Sequence, residues 1–172
     1  MSDGAVARAG AGARVGSRVV LRKTLLAIAV LGGCQTVQPN GPVPVLARQS
    51  AVCPDPARPG GAQVSTFVGA AGWQAHLASL NSDLRSGLWS WRVDFSSGQS
   101  VALVSGGPQP NPGYRVTVGE NSLPVRDGVL QVKAQVVAPP TGTIQAQVIS
   151  FPCVYLHLGA AGYRASAVQL VQ

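Results

Sequence analysis

Charge is scarce in this 172-residue chain: Asp, Glu, Lys and Arg together make up 11% of it, against about a quarter in an ordinary soluble domain. Six residues are acidic and two are histidine. So few titratable groups argue against a paired-carboxylate acid–base centre and a His/Asp/Glu metal site, and no cofactor or metal is expected. A single Met, and the lack of long Glu/Lys/Leu stretches, argue against a coiled coil or helical bundle. No glycine-rich phosphate loop precedes a helical pattern, and Ser105-Gly106-Gly107 lacks the flanks of a nucleophile elbow. What the chain has in quantity is 21 Gly and 13 Pro, which promise many turns.

The net charge of +7 invites a nucleic-acid reading, but its placement speaks against one. Five basic residues (Arg8, Arg14, Arg18, Arg22 and Lys23) and only Asp3 precede Cys34. The later ones, Arg48, Arg58, Arg85, Arg92, Arg115, Arg126, Lys133 and Arg164, are scattered. Neutralising several phosphates at once needs a cluster or a stripe, so no nucleic-acid partner is expected.

Residues 1–33 read as an export signal. Arg18 to Lys23 is basic, Thr24 to Leu31 is apolar, and Gly32-Gly33-Cys34 follows. Eight residues are too few for a bilayer core, which needs about 20 in a helix. Leu31-Gly32-Gly33-Cys34 resembles a bacterial lipobox. The resemblance implies diacylglycerol on the Cys34 thiol, cleavage before it, and a membrane-tethered protein of the cell envelope. Gln35 in place of Asp implies the outer membrane, facing the periplasm, in a cell with two membranes. From 34 to 61 the chain carries Pro39, Pro42, Pro44, Pro54, Pro56 and Pro59 without a sustained apolar period, and reads as a tether.

Residues 62–172 read as one β-rich domain. Trp73, Leu77, Leu80 and Leu84 follow helical spacing, and Gly87 closes that helix. Alternation with period two then marks strands at Trp91/Val93/Phe95, Tyr114/Val116/Val118, Leu130/Val132/Ala134/Val136 and Ile144/Ala146/Val148. Val101 to Val104 is apolar on both faces and should be central. Val154 to Leu158 and Ser166 to Val171 close the chain, and Asp127-Gly128 signals a tight hairpin. The expectation is a mainly β (α+β) protein, a small antiparallel sandwich or barrel of about seven strands with one N-terminal amphipathic helix.

Cys53 and Cys153 are a candidate disulfide, permitted by an exported compartment; the alternative is a buried free Cys153 and an incidental Cys53. His76 falls beside the apolar stripe of the helix and reads as a rim residue, and His157 reads as structural. No local constellation supports catalysis, so a non-catalytic protein is expected.

One stretch stands apart. Gly107, Pro108, Gln109, Pro110, Asn111, Pro112, Gly113 and Tyr114 form an uncharged loop between two strands, stiffened by proline. It is a candidate partner-binding loop, with Gln109, Pro110 and Asn111 at its tip and the Tyr114 ring towards the core. Asp94-Phe95, Gly107-Pro108, Gly113-Tyr114, Gln145 or Gln147, and Phe151-Pro152, after a Trp-containing helix, resemble the PrcB family of protease complex subunits over roughly residues 62–160. The resemblance implies a lipid-anchored accessory protein that binds and supports or regulates an exported or envelope protease. Asn111-Pro112-Gly113-Tyr114 also partly resembles the loop of chagasin-type cysteine-protease inhibitors, without that family's inserted Thr-Thr. A purely structural envelope lipoprotein is the third reading.

Overall fold

The computed structural model describes residues 41–54, 61–163 and 165–171. Residues 1–40, which include the segment read as an export signal and Cys34, lie outside that set.

Among the described residues, nine strands and two helices follow in order: β1 (Val43–Val52), β2 (Gln63–Phe67), α1 (Ala70–Ser79), α2 (Ser82–Trp89), β3 (Ser100–Ser105), β4 (Arg115–Thr117), β5 (Ser122–Leu123), β6 (Val125–Arg126), β7 (Val129–Val137), β8 (Pro152–Leu158) and β9 (Ala165–Val171). A five-stranded antiparallel sheet runs β2-β3-β8-β1-β5. In the second sheet β7 pairs with β4, β6 and β9. The fold is mainly β with antiparallel pairing, as expected, except that β9 lies parallel to β7.

Two cores follow from the pleat. On β8, Val154, Leu156 and Leu158 join Ala102, Val104, Leu130, Val132 and Val43 in one cluster. Their neighbours Cys153 and Tyr155 join Trp73, Leu77, Leu80 and Leu88 in another. Successive side chains of a strand point to opposite faces, so the five-stranded sheet is covered by the second sheet on one face and by the helices on the other. All seven residues of β8, the middle strand, are therefore buried, and β3 beside it is an interior strand, in keeping with its apolar run. The Asp127-Gly128 turn has φ of 51° and 71°, both positive, as a two-residue hairpin demands.

Four sequence expectations are corrected. The segment 34–61 is not a tether throughout, because Val43–Val52 is a ten-residue strand paired with β8 and β5. The prolines flanking it hid a period-two pattern in which Val43, Val45, Ala47, Gln49 and Ala51 turn inward. The single helix is two: the chain breaks at Leu80, and Asn81 Oδ1 accepts the Leu84 N–H at 2.9 Å to cap α2. Gly87 lies inside α2 rather than ending it, where the Gln49 side chain fills the space of a Cβ. Trp91, Val93 and Phe95 alternate in burial but pair with nothing; they lead into a 3₁₀ turn at Phe95–Ser97 that Asp94 caps through the Ser96 and Ser97 N–H groups. The Ser96 hydroxyl above all, with those two backbone hydrogen bonds, holds the exposed Asp94 carboxyl below its ordinary pKa.

The fourth correction concerns Thr143–Ile149, which makes no strand pairing among the described residues despite its alternation. A strand has two edges, and those of β7 are taken by β4, β6 and β9. Ile144 is left 99% exposed, Ile149 66% and Val148 56%.

Candidate functional site

The loop from Gly107 to Tyr114 leaves the sheet at the end of β3. Gly106 donates to the Pro152 carbonyl at 2.9 Å and lies flat on the second sheet. A Cβ there would come within 2.7 Å of Val116 Cγ2 and 3.0 Å of Val136 Cγ2, so the close approach requires glycine. Gly107 then turns the chain at φ 74°, its N–H donating to Ser105 Oγ at 3.2 Å.

Ser150 fastens the middle of the loop. The Gln109 N–H donates to the Ser150 carbonyl at 2.8 Å, and the Ser150 N–H donates back to Gln109 at 3.0 Å. The Ser150 hydroxyl donates to the Asn111 carbonyl at 2.6 Å. Asn111 Oδ1 accepts the Gly113 N–H at 3.0 Å, a local turn that Asn makes readily. Gly113 is wedged: a Cβ would come within 2.8 Å of Pro139 and 2.9 Å of Gln145. The Gln109 side chain returns to the Gly106 carbonyl at 3.2 Å.

These bonds reverse part of the expectation for the tip. Gln109 and Asn111 are half-buried anchors, whereas Pro108, Pro110 and Pro112 face solvent at alternate positions. The rigid, exposed feature is a ridge of three prolines. Tyr114 is half-buried and stands one residue before β4, consistent with its alternation with buried Val116. The ridge touches the neighbouring segment at Gln145 and Ser150, and within that segment Ile144, Val148 and Ile149 are exposed. No Asp, Glu, Lys or Arg occurs from Val101 to Tyr114 or from Ala134 to Tyr163, so the ridge and its neighbour are made of uncharged chain.

Cys53, one residue past the end of β1, and Cys153 of the neighbouring β8 are joined in a disulfide, with Cα atoms 5.9 Å apart. Beneath it the Tyr155 hydroxyl lies 3.6 Å from the Cys53 sulfur and 2.9 Å from His76 Nε2. Burial lowers the His76 pKa and pushes Tyr155 up to about 12. His76 is half-buried at the rim of the helix-side core, as expected, with its ring against Phe67, Trp73 and Tyr155. His157 is structural: it stacks on Trp91 and meets Gln99 Oε1 at 2.8 Å. That oxygen also accepts the Asp94 N–H, so His157 holds its proton on Nε2, and burial lowers its pKa too.

Sequence reading missed a groove between α1 and the segment after α2, lined by Trp73, Gln74, Trp89, Trp91, Arg92 and Phe95. Trp89 is 65% exposed there. Its volume of about 190 Å³ is below the several hundred of an ordinary ligand pocket. Among the described residues, no three His, Cys, Asp or Glu side chains are grouped as a metal site.

Residues 100–158 match the family described as PrcB C-terminal. The match begins at the first residue of β3 and ends at the last of β8, and those two residues, Ser100 and Leu158, are paired across the sheet. It contains the proline ridge and Ser150, and leaves out both helices, β1 and β9. No curated protein and no solved structure matches the chain.

Proposed function

We propose, for a chain that over residues 100–158 belongs to the PrcB C-terminal family, a lipid-anchored, non-catalytic accessory protein that binds an exported protease through the ridge Gly107–Tyr114. The family's association with a protease complex supports the class of partner. The observation that carries the binding reading is the ridge itself: three exposed prolines on a loop fastened by Ser150, in uncharged surroundings. Such a surface desolvates at little cost, and a prestiffened loop loses little entropy on binding. The anchor reading rests on Leu31-Gly32-Gly33-Cys34, and places the protein at a membrane of the envelope. The inhibitor reading is weaker, because Asn111 is committed to Gly113 rather than turned outward.

Affinity capture from native membranes tests the partner. The wild-type chain should retain an envelope protease; Pro108→Ser with Pro110→Ser and Pro112→Ser should lose it while melting unchanged. Equal capture by both would remove the ridge from the interface. Mass spectrometry should find Cys34 amino-terminal and lipid-modified, and an unmodified soluble mature form would sink the anchor.

A further inference from the structure

Thr143-Ile144-Gln145-Ala146-Gln147-Val148-Ile149 has the composition and alternation of a strand and the pairing of none. It is uncharged and free of proline, and three of its aliphatic side chains stand exposed. Natural chains usually break such a segment with a charge or a proline, or cover it. The sequence around Ala146 also reads nearly the same in both directions: Ile-Gln-Ala-Gln-Val.

We infer that this segment pairs antiparallel with the same segment of a second copy, centred on Ala146. In that register Ile144 faces Val148 of the other copy, Ala146 faces Ala146, and Gln145 faces Gln147. Antiparallel pairing about a twofold axis is self-complementary: each contact occurs twice. It gives one face of aliphatic pairs and one of amide pairs, both favourable across strands. A one-residue slip sets Ile144 against Gln147 and abolishes both faces, and a two-residue slip sets Ile144 against Ala146 and loses the aliphatic match.

Charge favours a second copy as the occupant. The chain is net positive, so most approaches of two copies bring like charges together. The stretch from Ala134 to Tyr163 has no charged residue, so contact through it escapes that repulsion. The area sets the strength. Ile144, Val148 and Ile149 together expose little more than two whole side chains per copy. Even with neighbouring backbone, this falls below the ~1,200 Å² of small stable interfaces, so the dimer is weak and dissociates on dilution. Pairing opens the short turn in which the Val148 N–H donates to the Ala146 carbonyl at 3.0 Å; the rest of the segment has no ladder bonds to lose.

The test is a crosslinking map on the full chain. A symmetric pair puts residue 146 opposite itself, within the ~4.4–6.8 Å Cα separation a disulfide spans. Residues 144 of the two copies would stand four residues apart along the ladder, roughly 13 Å, too far to bridge. Ala146→Cys should therefore form a covalent dimer under mild oxidation, whereas Ile144→Cys alone should not. Mixed Ile144→Cys and Val148→Cys chains should crosslink to each other, with the linked peptides identified by mass. Sedimentation should show monomer and dimer exchanging with concentration, and Ala146→Pro should raise the dissociation constant at least tenfold with melting unchanged. A monomer at every concentration, equal crosslinking at 144, 146 and 148, or crosslinks only to another protein would each overturn the pairing.

Discussion

The Tyr155 hydroxyl meets His76 Nε2 at 2.9 Å, a part-buried hydrogen bond that ties β8 to α1 at the rim of the helix-side core. Both groups are desolvated there and both are held in their neutral forms. Tyr155→Phe keeps the ring and leaves the His76 nitrogen without that partner. It should destabilise the domain by about 1–2 kcal/mol, read as a shift in the denaturant midpoint with the slope unchanged. No shift at all would mean that water satisfies His76 equally well.

Acid should weaken the fold before any carboxylate is protonated. His76 and His157 both have folded-state pKa values below the ordinary one. As pH falls through about 6.5 the unfolded chain takes up protons that the folded chain refuses, so stability is full above that pH and declines below it. Melting temperature should drop between pH 7 and pH 5, and less so in His157→Gln. In alkali the sign reverses: Tyr155, pushed up to about 12, keeps its proton when the unfolded chain loses it, so stability falls above about pH 10. A flat profile from pH 7 to 5 contradicts the burial of the two imidazoles.

The disulfide links residues separated by 100 positions. Closing so long a loop restrains the unfolded chain, and losing it should cost about 2–5 kcal/mol. Alkylation of denatured protein should leave Cys53 and Cys153 unmodified until reductant is added, and reduction should lower the melting temperature. Two thiols reactive without reductant would refute the bridge.

Gly106→Ala puts a methyl against Val116 and Val136. Overpacking of this kind costs about 1–3 kcal/mol, and it should tilt the start of the ridge as well. The expected result is lower thermal stability together with weaker partner capture; wild-type melting would show that the two valines move aside freely.

Ser150→Ala separates the loop's anchoring from the core. It removes the bond to the Asn111 carbonyl and keeps the backbone pair with Gln109. A loss of about 1 kcal/mol or less in stability is expected, with a larger fractional loss in partner capture as the ridge loosens. Unchanged capture would mean that the hydroxyl plays no part in holding the binding shape.

The fold class, an interior strand and the tight hairpin were legible in the residues alone. Val101 to Val104 is apolar at every position and became the strand buried on both faces; Asp127-Gly128 supplied the two positive φ angles. These are local properties, set by side-chain chemistry within a few residues. The uncharged proline loop was visible for the same reason.

Features that depend on distant partners were settled by packing between remote segments. Val43–Val52 became a strand because β8 offered an edge, whereas Thr143–Ile149, with the cleaner alternation, found none among the described residues. The proline ridge faces outward because Ser150, some forty residues away, holds Gln109 and Asn111 inward. Pairing edges and hydrogen bonds between remote segments are not properties of either segment, so no pattern in one of them could announce the outcome.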